Sequence, residues 1–394
     1  MKPLSIAEIL HPIPVAQFLE TYWGRQFLVQ AGDPGRFASL VNWESIGASL
    51  RDHSWQSPAI RIFANGSAID QSEFLREEDG FGSQRVTRVL VEAVEQRLSR
   101  GALLSLNWSD HRFPAIRRLA REFEYGFRER TQANIYAGYS QSKGFQPHWD
   151  DHEAFVLQVS GRKLWRIYGR TSEAPLYRDL LPDETPPSEV VWSGELEAGG
   201  LLYIPRGVWH DAEAKDEPTI HLTVGLDCAT GIDLLAWMQK ELRASAAFRT
   251  DLPRLATAAS QREHAVRLLE EIIALLDETV VERFLAADDL SAPAVRVGGL
   301  TGSAGDGKLR WLPPRPVAIA VEETLGRFIE LDCLGQHWHL PRWTEPVVRL
   351  IAEEREITRQ EICQREGNSL SARDVDEAVT YLIQKGLIEE GGAA

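Results

Sequence analysis

At 394 residues, with 43% hydrophobic and 26% charged side chains, the chain has the composition of a soluble globular protein and the length of two or three domains. A formal net charge of −15 argues against a surface that grips nucleic acid by itself, and would attract a cationic polypeptide. Three widely separated cysteines (Cys228, Cys333, Cys363) give neither a disulfide framework nor zinc spacing, no stretch is long enough for a membrane span, and MKPLSIAEIL lacks the apolar core of a signal peptide, so a cytoplasmic protein is expected.

Residues 1–65 begin with helical patterning at Ile6, Ile9 and Leu10 and again at Phe18, Leu19, Tyr22 and Trp23, separated by Pro12 and Pro14. FLVQ at 27–30 and AIRIFA at 59–64 read as strands, the latter alternating Ile60 and Ile62 with charge between. A helix period runs through 84–98, and another short helix is expected over 111–127 after Pro114. From about Ala133 to Leu226, runs rich in Ile, Val, Tyr and Trp (ANIYAGY, AFVLQVSG, KLWRIYG, VVWSG, LLYIPRG, TIHLTVGL) alternate with Gly and Pro turns. That spacing predicts an antiparallel sandwich or barrel.

After Cys228 the pattern is helical. DLLAWMQKEL and HAVRLLEEIIALLDETVVERFLA carry apolar residues at three- and four-residue spacing, with Leu268, Leu269, Ile272, Ile273 and Leu276 forming a stripe that suits a dimer face or an internal core. GGLTGSAGDG at 298–307 reads as a connector. From Leu309 a small α/β domain is expected, with three helices over EPVVRLIAEER, TRQEICQREG and SARDVDEAVTYLIQKG that resemble a winged-helix unit. Residues 345–394 carry 11 acidic against 6 basic side chains, which disfavours a phosphate-gripping role and points to a protein-binding or structural one.

The chemistry is concentrated in PHWDDHEAFVLQVSGRKLWRIY, 147–168. In an extended segment His148 and Asp150, two apart, project to one side, and a histidine from another strand would complete a two-His-one-carboxylate metal face with open positions. Asp151 has the wrong parity, and His152 has the right parity but lies further along. For the third ligand, His210 follows a Pro-x-Gly turn and can reach an open site. His221 competes with it, although a histidine inside an alternating strand is more often a core residue. The bland alternative is a surface HWD segment. Lys163 shares parity with Trp165 and Ile167, so it can point inward, where a buried ammonium needs an anion such as the distal carboxylate of 2-oxoglutarate. Asn134 and Tyr136, on one face of their strand, can add hydrogen bonds to that pocket. Trp149, Tyr136 and Trp209 are placed at the mouth or in packing.

NIYAGYSQSKGFQPHWDDHEAFVLQVSGRKLWRIY, GGLLYIPRGVWHDAEA and HLTVGL, with FLETYWGRQFLV at 18–29, resemble the JmjC-type, cupin-fold 2-oxoglutarate oxygenases of the ribosomal-oxygenase branch over nearly the whole chain. The resemblance implies an α+β chain: a double-stranded β-helix (jelly-roll, cupin) catalytic barrel with its N-terminal extension at 1–227, a helical dimerisation region at 228–300 and a winged-helix-like domain at 308–394. It implies Fe(II) held by His148, Asp150 and His210, 2-oxoglutarate held by Lys163, and Asn134 near the co-substrate. The bacterial arginine hydroxylases of that branch typically carry Arg at the Lys163 position, whereas the histidine hydroxylases resemble this chain. The implied reaction converts 2-oxoglutarate to succinate and CO2 while hydroxylating the β-carbon of a His or Arg in a ribosomal protein or other polypeptide, in a homodimer. The rival readings are the same chemistry on a peptide natural product or small molecule, lysine demethylation (for which no methyl-lysine cage is evident) and a non-catalytic cupin–winged-helix regulator.

Overall fold

The computed structural model describes residues 4–52, 55–79, 82, 85–139, 144–176, 185–215, 217–294, 307–323, 325–367 and 369–391. They divide into two compact units, Met1–Cys228 and Ala229–Ala394.

The first unit starts with helices α1 (Ile6–Leu10) and α2 (Val15–Thr21), strand β1 (Leu28–Gln30) and helix α3 (Trp43–Asp52), the last not foreseen from the sequence. Strands β2 (Ile60–Ala64) and β3 (Ser67–Ala68) follow, then a hairpin of β4 (Leu75–Asp79) and β5 (Arg85–Val89), and helix α4 (Val91–Ser99). The single helix expected over 84–98 is therefore a strand and a helix. The run RVTRV is rich in β-branched valine and threonine, which favour a pleated strand over a helix, and it pairs with β4 in full register. Strand β6 (Leu103–Leu106) leads to α5 (Pro114–Phe127). Proline is tolerated in the first turn of α5, where its missing N–H would have no partner, and Ile116, Leu119 and Phe123 turn one face into the core.

The remaining strands are β7 (Arg130–Gly138), β8 (Glu153–Ser160), β9 (Lys163–Arg170), β10 (Val190–Leu196), β11 (Leu201–Ile204), β12 (Val208–Ala214) and β13 (Thr219–Asp227). They form an eight-stranded sheet in the order β1-β11-β8-β13-β7-β6-β2-β3 and a three-stranded sheet in the order β10-β9-β12. The large sheet is covered on both faces. On its outer face Ile60, Ile62, Ile135, Ala137, Leu222 and Val224 pack against the N-terminal helices in one aromatic-rich core that includes Phe18, Phe123 and Phe155. The alternate residues of the same strands face the small sheet across a cavity of about 310 Å³. Period-two alternation thus separates a dry apolar face from a polar one, and the polar face lines an internal cavity.

The second unit opens with helices α6 (Gly231–Leu242), α7 (Ala246–Arg249), α8 (Ala258–Leu275) and α9 (Val280–Ser291). The stretch taken as one apolar-patterned segment from His264 onward is broken into α8 and α9, where Asp277 accepts from the Thr279 backbone and hydroxyl. Leu268 and Ile272 are half-buried, but Val266, Leu269, Ile273 and Leu276 stay exposed, Leu269 at 54% and Ile273 at 66%. The glycine-rich connector, apart from Gly307, lies outside the described residues. Strands β14 (Lys308–Trp311), β15 (Ile319–Val321), β16 (Phe328–Cys333) and β17 (Gln336–Pro341) follow, then α10 (Glu345–Glu354), β18 (Glu356–Thr358), α11 (Arg359–Glu366), α12 (Ala372–Lys385) and β19 (Ile388–Glu390). Capping boxes at Thr358–Glu361 and Ser371–Asp374 start α11 and α12, and Gly386 in the left-handed region ends α12. Strands β18-β14-β19 pair beside the three helices. Among the described residues no helix is long and apolar enough to cross a membrane.

Candidate metal centre and its cavity

His148 and His210 face each other in a two-residue bridge. The His148 N–H donates to the His210 carbonyl at 3.1 Å and the His210 N–H donates back at 2.8 Å. Directly opposed residues in such a pair put their side chains on the same side, and the two imidazole centroids are 4.4 Å apart. Two residues on, the Asp150 carbonyl accepts from the Gly207 N–H at 2.9 Å, continuing the ladder. Gly207 has φ +77°, and a Cβ there would meet Pro175 at 2.6 Å, so the Pro-x-Gly turn requires glycine. One ligand atom from each of His148, Asp150 and His210 lies within 4.8 Å of the other two. His210 is the third residue of β12, after a bulge.

The outer nitrogens settle the tautomers. His148 Nδ1 lies 3.0 Å from the Gln146 carbonyl and His210 Nδ1 lies 3.0 Å from the Val208 carbonyl. A carbonyl only accepts, so each Nδ1 carries the proton and each Nε2 presents its lone pair inward. Burial first, and then His148, pull the His210 imidazolium down to about 4, so the ring is neutral at physiological pH. Burial works against the Asp150 carboxylate, but His152, His210 and His148 outweigh it and hold it below the ordinary aspartate value. Two imidazole nitrogens and one ionised carboxylate are the donor set that suits a divalent first-row metal, and the carbonyl partners are the outer shell that orients such ligands.

Deeper in the cavity, Lys163 is 2% exposed and its Nζ lies 2.8 Å from His221 Nδ1. Burial pulls the Lys163 ammonium down to about 7. Burial, followed by the charges of Lys163 and His210, pulls His221 well below the ordinary histidine value. The imidazole therefore accepts at Nδ1, and the lysine has no carboxylate partner among the described residues. Its register neighbours on β12 and β10 are Ala214 and Leu196. A buried lysine of this kind has the chemistry to pair with an anion.

Tyr136 stacks on His221 with centroids 4.8 Å apart. Burial raises its phenol, the Asp150 charge adds to that, and hydrogen bonds to Asn134 and Ser105 oppose it. Asn134 Oδ1 accepts from the Trp108 N–H at 3.0 Å, so Asn134 lines the cavity and also holds its rim. All six residues expected at the site, His148, Asp150, His210, Lys163, Asn134 and Tyr136, line this one cavity.

Three further residues are placed by the structure. Trp209 takes the packing alternative, turned away from the mouth with its indole N–H bonded to Thr171 Oγ1 at 2.8 Å, because its parity is opposite to that of His210. His221, discounted as a packed core residue, lies on the cavity wall. Arg61, the charge between Ile60 and Ile62, lies on a face that lines the cavity. His152 also lines it. Burial opposes the His152 charge, but Asp150, a hydrogen bond donated to Asp151, and Asp227 raise it to about 9. A Cβ on Gly225 would meet the His152 ring at 2.6 Å, so the glycine makes room for that ring.

A family model described as the JmjC domain matches residues 110–234. Over 223 residues the chain is 30% identical to the bifunctional lysine-specific demethylase and histidyl-hydroxylase NO66 of Drosophila persimilis, covering 56% of this chain and 31% of that protein. It is 32% identical over 221 residues to ribosomal oxygenase 1 of Gallus gallus, covering 55% of this chain and 35% of that protein. The chain thus spans about a third of the length of these relatives. The structure of YcfD, a ribosomal oxygenase from Escherichia coli, in complex with cobalt and 2-oxoglutarate superposes with a TM-score of 0.57 at 15% identity, covering 97% of this chain and 99% of that one, which shows a shared fold. The chain thus carries a match to the JmjC domain at residues 110–234 and is similar in sequence to ribosomal oxygenases over about half of its length.

Proposed function

We propose that the chain is an Fe(II)- and 2-oxoglutarate-dependent oxygenase that hydroxylates an amino-acid side chain of a polypeptide, giving succinate and CO2. The observation that carries this reading is the grouping of His148, Asp150 and His210 within 4.8 Å in the same cavity as a buried lysine whose hydrogen-bond partner among the described residues is the His221 imidazole. The relatives named as histidyl-hydroxylase and ribosomal oxygenase, and the cobalt and 2-oxoglutarate complex of the Escherichia coli enzyme, support it.

Bound through His148 Nε2, Asp150 and His210 Nε2, iron would supply the dioxygen chemistry that couples oxidation of the keto acid to oxygen insertion into a C–H bond. The chain's own residues do the rest. The Gln146 and Val208 carbonyls hold both imidazoles in the donor tautomer. Lys163 fixes the distal carboxylate, which points the keto-acid end toward the metal ligands. Trp165, Ile204 and Val156 wall the cavity and exclude water. Asn134 and Tyr136 add hydrogen-bonding groups beside the co-substrate.

We place the site of attack at the β-carbon of a His or Arg in a ribosomal protein or another polypeptide. The exposed apolar row on α8 supports reading 228–300 as a dimerisation region of a homodimer, and the three helices with the β18-β14-β19 sheet support a winged-helix-like domain at 308–394. A cytoplasmic location suits a site that keeps iron ferrous. The test is intact-mass analysis of ribosomal proteins incubated with the iron-loaded protein, 2-oxoglutarate and air. The expected result is a gain of one oxygen atom on one protein, absent with His148→Ala. If no polypeptide gains an oxygen atom while 2-oxoglutarate is consumed, the polypeptide substrate is wrong.

A further inference from the structure

The proposed function leaves the chemistry of the oxidised residue open, and the cavity rim bears on it. Arg61 sits on β2, directly opposite Ser105 of β6, which is in turn opposite Tyr136 of β7. It is exposed, and it lines both the cavity and the shallow groove outside it. Its guanidinium rests 4.6 Å from the centroid of Phe63, and Phe63 packs on Phe145 at 4.4 Å. The cation is therefore carried by a strand and an aromatic floor, a rigid mounting compared with a loop. Among the described residues no carboxylate pairs with it.

Across the described lining the charges are lopsided. Asp150 is the single carboxylate of the cavity, and it is committed to the metal site. The outer groove adds Asp151, which lies 3.6 Å from His152 Nδ1. Facing them is Arg61, since Lys163 is taken up by the diacid. A lysine or arginine side chain entering here would pass the Arg61 guanidinium and meet no uncommitted carboxylate in the described lining of the cavity. An uncharged side chain finds neutral polar partners instead, Gln132 and Thr223 among them.

We propose that Arg61 selects the substrate: it pairs with a carboxylate of the polypeptide next to the oxidised residue, and the side chain that enters the cavity is itself uncharged. This rests on the oxygenase reading and narrows it to histidine-like or amide targets in an acid-flanked segment.

The test uses pools of short peptides with a central histidine or a central arginine, flanked by aspartate, glutamine or lysine. Binding is read by fluorescence anisotropy on the Mn(II)- and 2-oxoglutarate-loaded protein without oxygen, and hydroxylation by mass on the iron-loaded protein. The aspartate-flanked histidine pool should bind about tenfold more tightly than the lysine-flanked one. Arg61→Glu should invert that order and Arg61→Ala should flatten it, with 2-oxoglutarate affinity unchanged in both. Indifference to flanking charge, a preference for the arginine or lysine-flanked pools, or no binding of any pool to the loaded protein overturns the proposal. Failure to take up Mn(II) and 2-oxoglutarate at all would instead remove the oxygenase reading, and this inference with it.

Discussion

The barrel interior and helix α8 break the usual partition of residues in opposite senses. Inside the barrel, Lys163, His210, His221 and Thr223 are polar and buried. On α8 and at its C-cap, Val266, Leu269, Ile273 and Leu276 are apolar and exposed. Either departure costs free energy in an isolated chain, by desolvation in the first case and by hydrated hydrocarbon in the second. On the proposed reading, a metal and a diacid would relieve the first and a second apolar surface the second. The contrast teaches that the two features report different partners, and that changes to one should leave the other untouched.

The largest effect expected is on the metal. His148→Ala or His210→Ala should weaken Mn(II) or Fe(II) affinity about a hundredfold or more, read by calorimetry, while the α8 surface keeps its behaviour. His221→Ala should leave metal affinity nearly unchanged. Loss only in the His221 variant would reassign the third ligand.

Next is Lys163→Met, which removes the charge and keeps the volume. Losing one partner of a buried charge pair is worth about 3 kcal/mol, roughly a hundredfold, so 2-oxoglutarate should bind that much more weakly with metal affinity intact. The unliganded fold should be as stable or more so in thermal melts, since an uncompensated buried ammonium is removed. A destabilised variant with normal 2-oxoglutarate affinity would show that Lys163 is structural.

On the other side of the comparison, Ile273→Asp should weaken self-association about tenfold or more in sedimentation and leave metal and 2-oxoglutarate binding unchanged. An unaltered sedimentation profile would mean that the exposed row is not the contact.

The smallest effect is that of pH. With Lys163 pulled down to about 7 in the free protein, the ammonium is already formed below that pH, and an anion beside it raises its pKa on binding. Above 7 binding must take up a proton, so 2-oxoglutarate affinity should fall as pH rises, by at most about tenfold per unit. Titrations in buffers of different ionisation enthalpy at pH 8 should show that uptake; none would contradict an uncharged lysine in the free protein.

Much of this was legible in the sequence because strand parity is a strict rule. His148 with Asp150, and Lys163 with Trp165 and Ile167, share faces as period two demands; the structure puts the first four on the cavity wall and buries Ile167 in the apolar cluster beside it. Where the sequence misled, one rule was applied without its context. RVTRV was absorbed into the helix that follows it, although its β-branched residues favour a strand. His221 and Arg61 alternate with apolar neighbours, but alternation cannot say whether the polar face meets solvent or an internal cavity. That depends on the small sheet lying opposite, a long-range fact. Trp108, at φ +53° on the rim and held through its N–H by Asn134, left no local signal at all, because its left-handed conformation is imposed by a residue 26 positions away.

The most direct test of the central claim is succinate formation from 2-oxoglutarate by wild-type protein and by His148→Ala, each with and without Fe(II). The account predicts turnover that requires iron and disappears in the variant while thermal melts show it folded. Iron-independent succinate formation, or equal turnover by His148→Ala, would contradict it.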